Sequence, residues 1–103
     1  NDVFALEEEL REQAEKLSHR LKEYGEFGKT VTLKIRYANF LTYTRAKTLK
    51  NPTNKIEEIL NAAMENFRNL KKKDEVRLIG IQVSSITKSN IVQLTFNDME
   101  KYD

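Results

Sequence analysis

An α+β fold, with an antiparallel sheet and two α-helices packed on one of its faces, is what this sequence predicts. Three observations carry the expectation. Two stretches repeat their apolar residues every three or four positions, others repeat them every second position, and the order along the chain is helix, strand, strand, helix, strand. Such an arrangement covers one face of the sheet and leaves the other open.

The first helix is expected over Phe4 to Tyr24, where Leu6, Leu10, Ala14, Leu17, Leu21 and Tyr24 form one stripe. Glu7, Glu8 and Glu9 near its start, and His19, Arg20 and Lys22 near its end, run in the order that complements a helix dipole. Gly25 and Gly28 are expected to stop it. From Thr30 to Tyr37, Val31, Leu33, Ile35 and Tyr37 alternate with Thr30, Thr32, Lys34 and Arg36, a half-buried strand with a basic outer face. Ala38-Asn39 connects it to a second extended segment, Phe40 to Leu49, as a hairpin. Leu41, Tyr43 and Leu49 want one face here, yet Arg45 and Lys47 share their parity. Turning both cations outward requires a bulge between Tyr43 and Lys47.

Asn51-Pro52-Thr53 is expected to break that strand, and Asn54 with Glu57 reads as a capping box. The second helix follows, with Ile56, Ile59, Leu60, Ala63, Met64, Phe67 and Leu70 as its stripe and Lys71 to Lys73 at its end. Val76 to Ile86 is a strand with Ile79, Ile81 and Val83 facing the core and Leu78, Gly80, Gln82 and Ser84 facing away. Lys88 to Asn90 turns, and Ile91 to Phe96 is a last short extended piece. The folded unit is assigned to residues 1–92 and a C-terminal tail to 93–103.

Composition removes several classes of function. With 103 residues the chain suits a single core, and 39% hydrophobic with 33% charged residues is neither a disordered tail nor a membrane protein. No apolar run has the length of a membrane span and no signal peptide opens the chain, so a cytoplasmic location is the default expectation. Cysteine is absent and His19 is the lone histidine, which leaves no thiolate or histidine-based metal site. No nucleophile in a recognisable setting, phosphate-cradling glycine loop or paired acids for a two-metal site is found. The glutamates fall on helix surfaces, where solvation is the commoner reason for a carboxylate.

The net charge is only +2, but 18 Lys and Arg and 16 acids are unevenly placed. Lys34, Arg36, Arg45, Lys47 and Arg77 belong to strands and are interleaved with Thr30, Thr32, Thr42, Thr44 and Thr48, whose hydroxyls can donate to phosphate oxygens. Outward Lys and Thr also serve solubility and strand propensity, so pattern alone leaves both readings open. The absence of exposed rings at Leu78, Gly80 and Gln82 favours a duplex backbone over base stacking. Gln93-Leu94-Thr95-Phe96 fits either an edge strand or a short motif that inserts into a partner.

The stretch Thr30 to Phe40, its continuation Thr42 to Leu49, Asn51-Pro52-Thr53-Asn54, Val76 to Ser84 and the Gln93 motif together resemble the C-terminal "little finger" of bacterial Y-family translesion polymerases of the DNA polymerase IV type. The resemblance covers nearly the whole chain. It implies a sheet that is four-stranded in the family, with the first strand expected to be absent here, lying in the major groove of double-stranded primer-template DNA. It implies phosphate contacts at Arg45, Lys47 and Arg77; together with the strand pattern, DNA contacts are expected at Thr32, Lys34, Arg36, Thr42, Thr44, Arg45, Lys47, Thr48, Arg77 and Gln82. Gln82 and Leu78 depart from members with arginine at both places. The resemblance also implies a sliding-clamp contact at Gln93, Leu94 and Phe96, although Phe96 is followed by Asn97 where members carry a second hydrophobic residue. No cofactor is implied in this chain; Mg2+ is expected in the catalytic core of such a polymerase. A missing strand leaves an exposed sheet edge, for which self-association is expected. A protein-protein module that docks a sliding clamp or another partner is the alternative.

Overall fold

The computed structural model describes residues 3–70 and 75–88. Its elements are α1 (Val3–Glu23), β1 (Phe27–Tyr37), β2 (Thr42–Thr53), α2 (Ile56–Leu70) and β3 (Val76–Thr87). The strands form an antiparallel sheet in the order β2-β1-β3, so the expected α+β class holds. Both helices cover one face: α1 lies over β3, α2 lies over β1 and β2, and the helices pack on each other. The expected extended piece at Ile91 to Phe96, the tail and the Lys71 to Lys73 cluster lie outside the described residues.

Because β1 is central, its inward residues are the most deeply buried. Leu33, Ile35 and Tyr37 cluster with Leu10, Ala14 and Leu21 of α1 and Ile59, Leu60 and Leu70 of α2, and Val31 packs with Ala62 and Ala63 of α2. Tyr24 does not join the stripe, since it lies past the end of α1 and is 60% exposed. What stops the helix is a Schellman motif. Glu26 N donates to Leu21 O at 2.7 Å and Gly25 N to Lys22 O at 3.1 Å, with Gly25 at φ 64°, the left-handed conformation that glycine adopts without a Cβ clash. Arg20 and Lys22 do occupy the last turn of α1, but its first turn holds no acid, so Glu7 to Glu9 lie beyond the reach of the dipole's positive end.

Gly28 is not a helix stop. It is buried inside β1, where a Cβ would stand 2.0 Å from Val83 Cγ1, so its role is close approach between β1 and β3. The Asn51-Pro52-Thr53 break is also revised: β2 continues to Thr53, which pairs with Gly28. Between the Thr30–Thr48 and Gly28–Thr53 pairs, Leu49 to Pro52 all lie opposite Lys29. A proline is tolerated in this irregularity because β2 is an edge strand and loses no ladder bond there. Nor is the capping box formed. Asn54 Nδ2 donates to Glu26 O at 3.3 Å, tying the helix entry to the end of α1, while Thr53 Oγ1 accepts from Lys55 N at 3.0 Å.

The hairpin turn is longer than expected. Phe40 and Leu41 lie outside β2 and are exposed at its tip, because Tyr37 N bonds Leu41 O at 3.0 Å and Phe40 N bonds Tyr37 O at 2.9 Å. β3 follows its expected alternation, with Ile79 buried, Ile81 and Val83 half-buried against the core, and Leu78 and Gln82 exposed.

Candidate nucleic-acid interface

Directly paired residues of an antiparallel sheet share a face, so the register maps the open side. Thr30 lies between Thr48 and Ser84, Thr32 between Ala46 and Gln82, Lys34 between Thr44 and Gly80, and Arg36 between Thr42 and Leu78. These rows bring together Thr32, Lys34, Arg36, Thr42, Thr44, Thr48 and Gln82, as expected from the sequence. Only small neighbours flank Lys34, so its ammonium stands clear of the sheet. Arg36 Nε donates to Thr42 Oγ1 at 3.3 Å, and Thr30 Oγ1 lies 3.3 Å from Thr48 Oγ1 and 3.4 Å from Ser85 Oγ. The face is therefore a field of hydroxyls crossed by a central stripe of cations.

Arg77 reaches this end of the sheet through a bulge on β3. Arg36 pairs with Leu78 and Tyr37 with Val76, which leaves Arg77 as the extra, exposed residue opposite them. Without the bulge its parity would place it with Ile79 on the core side.

Arg45 and Lys47 do not join the open face. The ladder from Thr48 to Thr42 is unbroken, so the bulge expected between Tyr43 and Lys47 is not there, and Arg45 pairs with Leu33 while Lys47 pairs with Val31. Both cations leave β2 on the helix-covered side. The physical reason is that β2 is the sheet's edge, where long side chains can cover apolar neighbours with their stems and still reach water. Lys47 Nζ meets Glu65 Oε2 of α2 at 2.6 Å, and this hydrogen bond and charge hold the Glu65 carboxyl below its ordinary pKa.

Charge is sorted by element. The strands carry Lys29, Lys34, Arg36, Arg45, Lys47, Lys50 and Arg77 and no Asp or Glu, whereas α1 and α2 carry Glu7 to Glu9, Glu12, Glu15, Glu23, Glu57, Glu58 and Glu65. A net charge of +2 conceals a molecule with a cationic sheet and acidic helices. Among the described residues no group of three or more metal-ligating side chains is assembled, and no helix is long and apolar enough to cross a membrane.

Residues 1–96 match the family model of the impB/mucB/samB family C-terminal domain. The chain belongs to this family. Relatives of this C-terminal domain include a DNA polymerase IV of Fusobacterium nucleatum, 41% identical over 76% of this chain and 22% of the relative. A DNA polymerase IV 2 of Agrobacterium fabrum is 40% identical over 84% of the chain and 25% of its own length. A DNA polymerase IV of Staphylococcus epidermidis is 33% identical over 95% of the chain and 28% of its own length. The chain thus spans about a quarter of the length of these relatives, and the family expected from the strand and turn motifs is the family found.

Three polar residues hold the open face of this impB/mucB/samB C-terminal domain in place without belonging to it. Gln13 of α1 bonds the outer edge of β3, its Nε2 donating to Ile79 O at 2.9 Å and its Oε1 accepting from Ile81 N at 2.8 Å. Asn66 of α2 donates to Val31 O at 3.1 Å from a buried position, and Ser18 Oγ donates to Asn54 O at 2.6 Å. The sequence reading missed them. Their signal was a polar residue at an apolar stripe position, since Gln13 falls three after Leu10, Ser18 four after Ala14 and Asn66 three after Ala63. The expected clamp residues Gln93, Leu94 and Phe96 lie outside the described residues.

Proposed function

We propose that the open face grips duplex DNA by its phosphate backbone in the major groove, as the non-catalytic DNA-binding domain of an error-prone translesion polymerase of the DNA polymerase IV type. The observation that carries this reading is the sorting of charge: an acid-free sheet displays Lys34, Arg36 and Arg77 among hydroxyls, while nine of the sixteen carboxylates lie on the helices. A polyanion is attracted to one side and repelled from the other, which orients its approach. Threonine hydroxyls at 42, 44 and 48 and at 30 and 32 add donors that position a backbone without reading sequence.

Duplex is favoured over single strands. None of the paired open-face positions carries a ring for base stacking. Three strands span about 10 Å between outer backbones, commensurate with a major groove about 12 Å wide. The polymerase reaction and its Mg2+ are assigned to the part of such a protein outside these residues, and this domain supplies hold on the duplex.

Fluorescence anisotropy with labelled duplex and single-stranded DNA over a salt series tests the proposal. Salt-sensitive binding that favours duplex is expected; no binding at low salt refutes it. Two partner assignments accompany it. Gln93, Leu94 and Phe96 are proposed to contact a sliding clamp, so removal of residues 93–103 should abolish clamp binding and spare DNA binding. The outer edge of β3, which Gln13 covers only at Ile79 and Ile81, is proposed as a site of self-association at high concentration, to be read by sedimentation.

A further inference from the structure

The β1–β2 turn combines two features that stability alone disfavours. Phe40 is 77% exposed, and it sits at φ 70°, a left-handed conformation that is an outlier for a bulky side chain. Asparagine or glycine would make the same turn without strain and without placing a ring in water. The conformation is nevertheless fixed. Tyr37 N donates to Leu41 O at 3.0 Å, Phe40 N to Tyr37 O at 2.9 Å and Ala38 N to Glu75 O at 2.8 Å. The Asn39 side chain adds a bond from Leu41 N to its Oδ1 at 3.1 Å. Strain of this kind persists where surrounding bonds impose it, and it concentrates at contact sites.

The turn continues the cationic face. The last pair of the β1–β2 ladder is Arg36–Thr42, joined through Arg36 Nε, and the turn follows immediately. Leu78, paired with Arg36 on the other side, is 52% exposed, and Leu41 is 50% exposed. A row of cations and hydroxyls thus ends in an apolar tip led by an aromatic ring. A phosphate backbone complements the row, and the flat face of a nucleobase complements the ring. In an intact duplex both faces of each base are already stacked. The free face belongs to an internal base at a mismatch or a gap, where the cost of unstacking has already been met.

We propose that Phe40 stacks on an unstacked base at such a discontinuity, with Leu41 beside it, while the open face holds the adjoining duplex. This inference rests on the duplex-binding reading and narrows its substrate to duplex DNA with a disrupted stack. The paired positions of the face hold the backbone, and the turn senses the defect.

The test compares this chain and its Phe40→Asn variant on two end-labelled duplexes, one fully paired and one with a single unpaired 2-aminopurine. Asparagine suits the left-handed position, so the turn and fold are retained. The wild-type chain is expected to favour the interrupted duplex by about tenfold, with 2-aminopurine fluorescence quenched on binding. Phe40→Asn should bind the paired duplex as wild type does, with the same salt slope, and lose both the preference and the quenching. Binding to paired duplex with no preference in the wild type, or a preference kept by Phe40→Asn, overturns the role of Phe40 and leaves the duplex reading standing; a tip that docks a protein would give that result. Failure to bind either duplex overturns both.

Discussion

Lys47 Nζ lies 2.6 Å from Glu65 Oε2, a bond that runs from the sheet's edge strand to the helix behind it rather than toward the open face. The bond divides the strand cations into two sets. Lys34 and Arg36 face outward with no acid on their strands, whereas Lys47 is already paired with a carboxylate and Arg45 leaves β2 on the same side as Lys47.

Salt dependence should separate the sets. Each phosphate neutralised contributes about −0.9 to the slope of log K against log salt. Lys34→Ala and Arg36→Ala are each expected to flatten the slope by about one. Lys47→Ala should leave it unchanged, and Arg45→Ala should alter it less than Arg36→Ala. Equal losses at Lys47 and Arg36, measured by anisotropy, would show that the DNA path wraps around the β2 edge.

The same ion pair makes a pH prediction. The carboxyl of Glu65 is held below its ordinary pKa by the hydrogen bond and charge of Lys47, so its contribution to stability is present above the unfolded carboxylate pKa. It is lost as pH falls through the lowered folded value. Glu65→Gln should therefore differ from wild type at neutral pH and converge with it in acid, as read by urea unfolding across that range. A difference that grows in acid would contradict the sign.

Gly28 admits no side chain. An added Cβ would stand 2.0 Å from Val83 Cγ1, so in Gly28→Ala either Val83 leaves its rotamer or β1 and β3 part. Overpacking of this kind costs about 1–3 kcal/mol. Thermal melting should show it as a loss of about 4–8 °C for each kcal/mol. An unchanged melting temperature would mean that Val83 moves aside freely.

Gln13 blunts the outer edge of β3 by offering its side-chain amide where a neighbouring strand would offer a peptide group. Gln13→Leu leaves Ile79 O and Ile81 N without that partner, at a cost of about 1–3 kcal/mol. It also uncovers the edge. Sedimentation should show more self-association in Gln13→Leu than in wild type, and urea unfolding should show lower stability. A stable monomeric variant would mean that Gln13 does not protect the edge.

The sequence by itself determined the class, the order of elements, the core faces of α2, β1 and β3, and the family, because each rests on periodicity or on motifs contained within one segment. Leu33 and Ile35 had to point inward and Lys34 and Arg36 outward once residues 30–37 were extended. What tertiary structure decided was every question that needed a second segment. Arg45 and Lys47 were assigned to the open face through a bulge that the ladder does not contain, since parity along β2 says nothing of its position at the sheet's edge or of Glu65 waiting on α2. Gly28 resembles a helix stop until Val83 is brought against it, and Asn54 resembles a cap until its Nδ2 donates to the Glu26 carbonyl oxygen. Alternation is a local property of a chain, whereas register, edge position and partners depend on how distant segments meet.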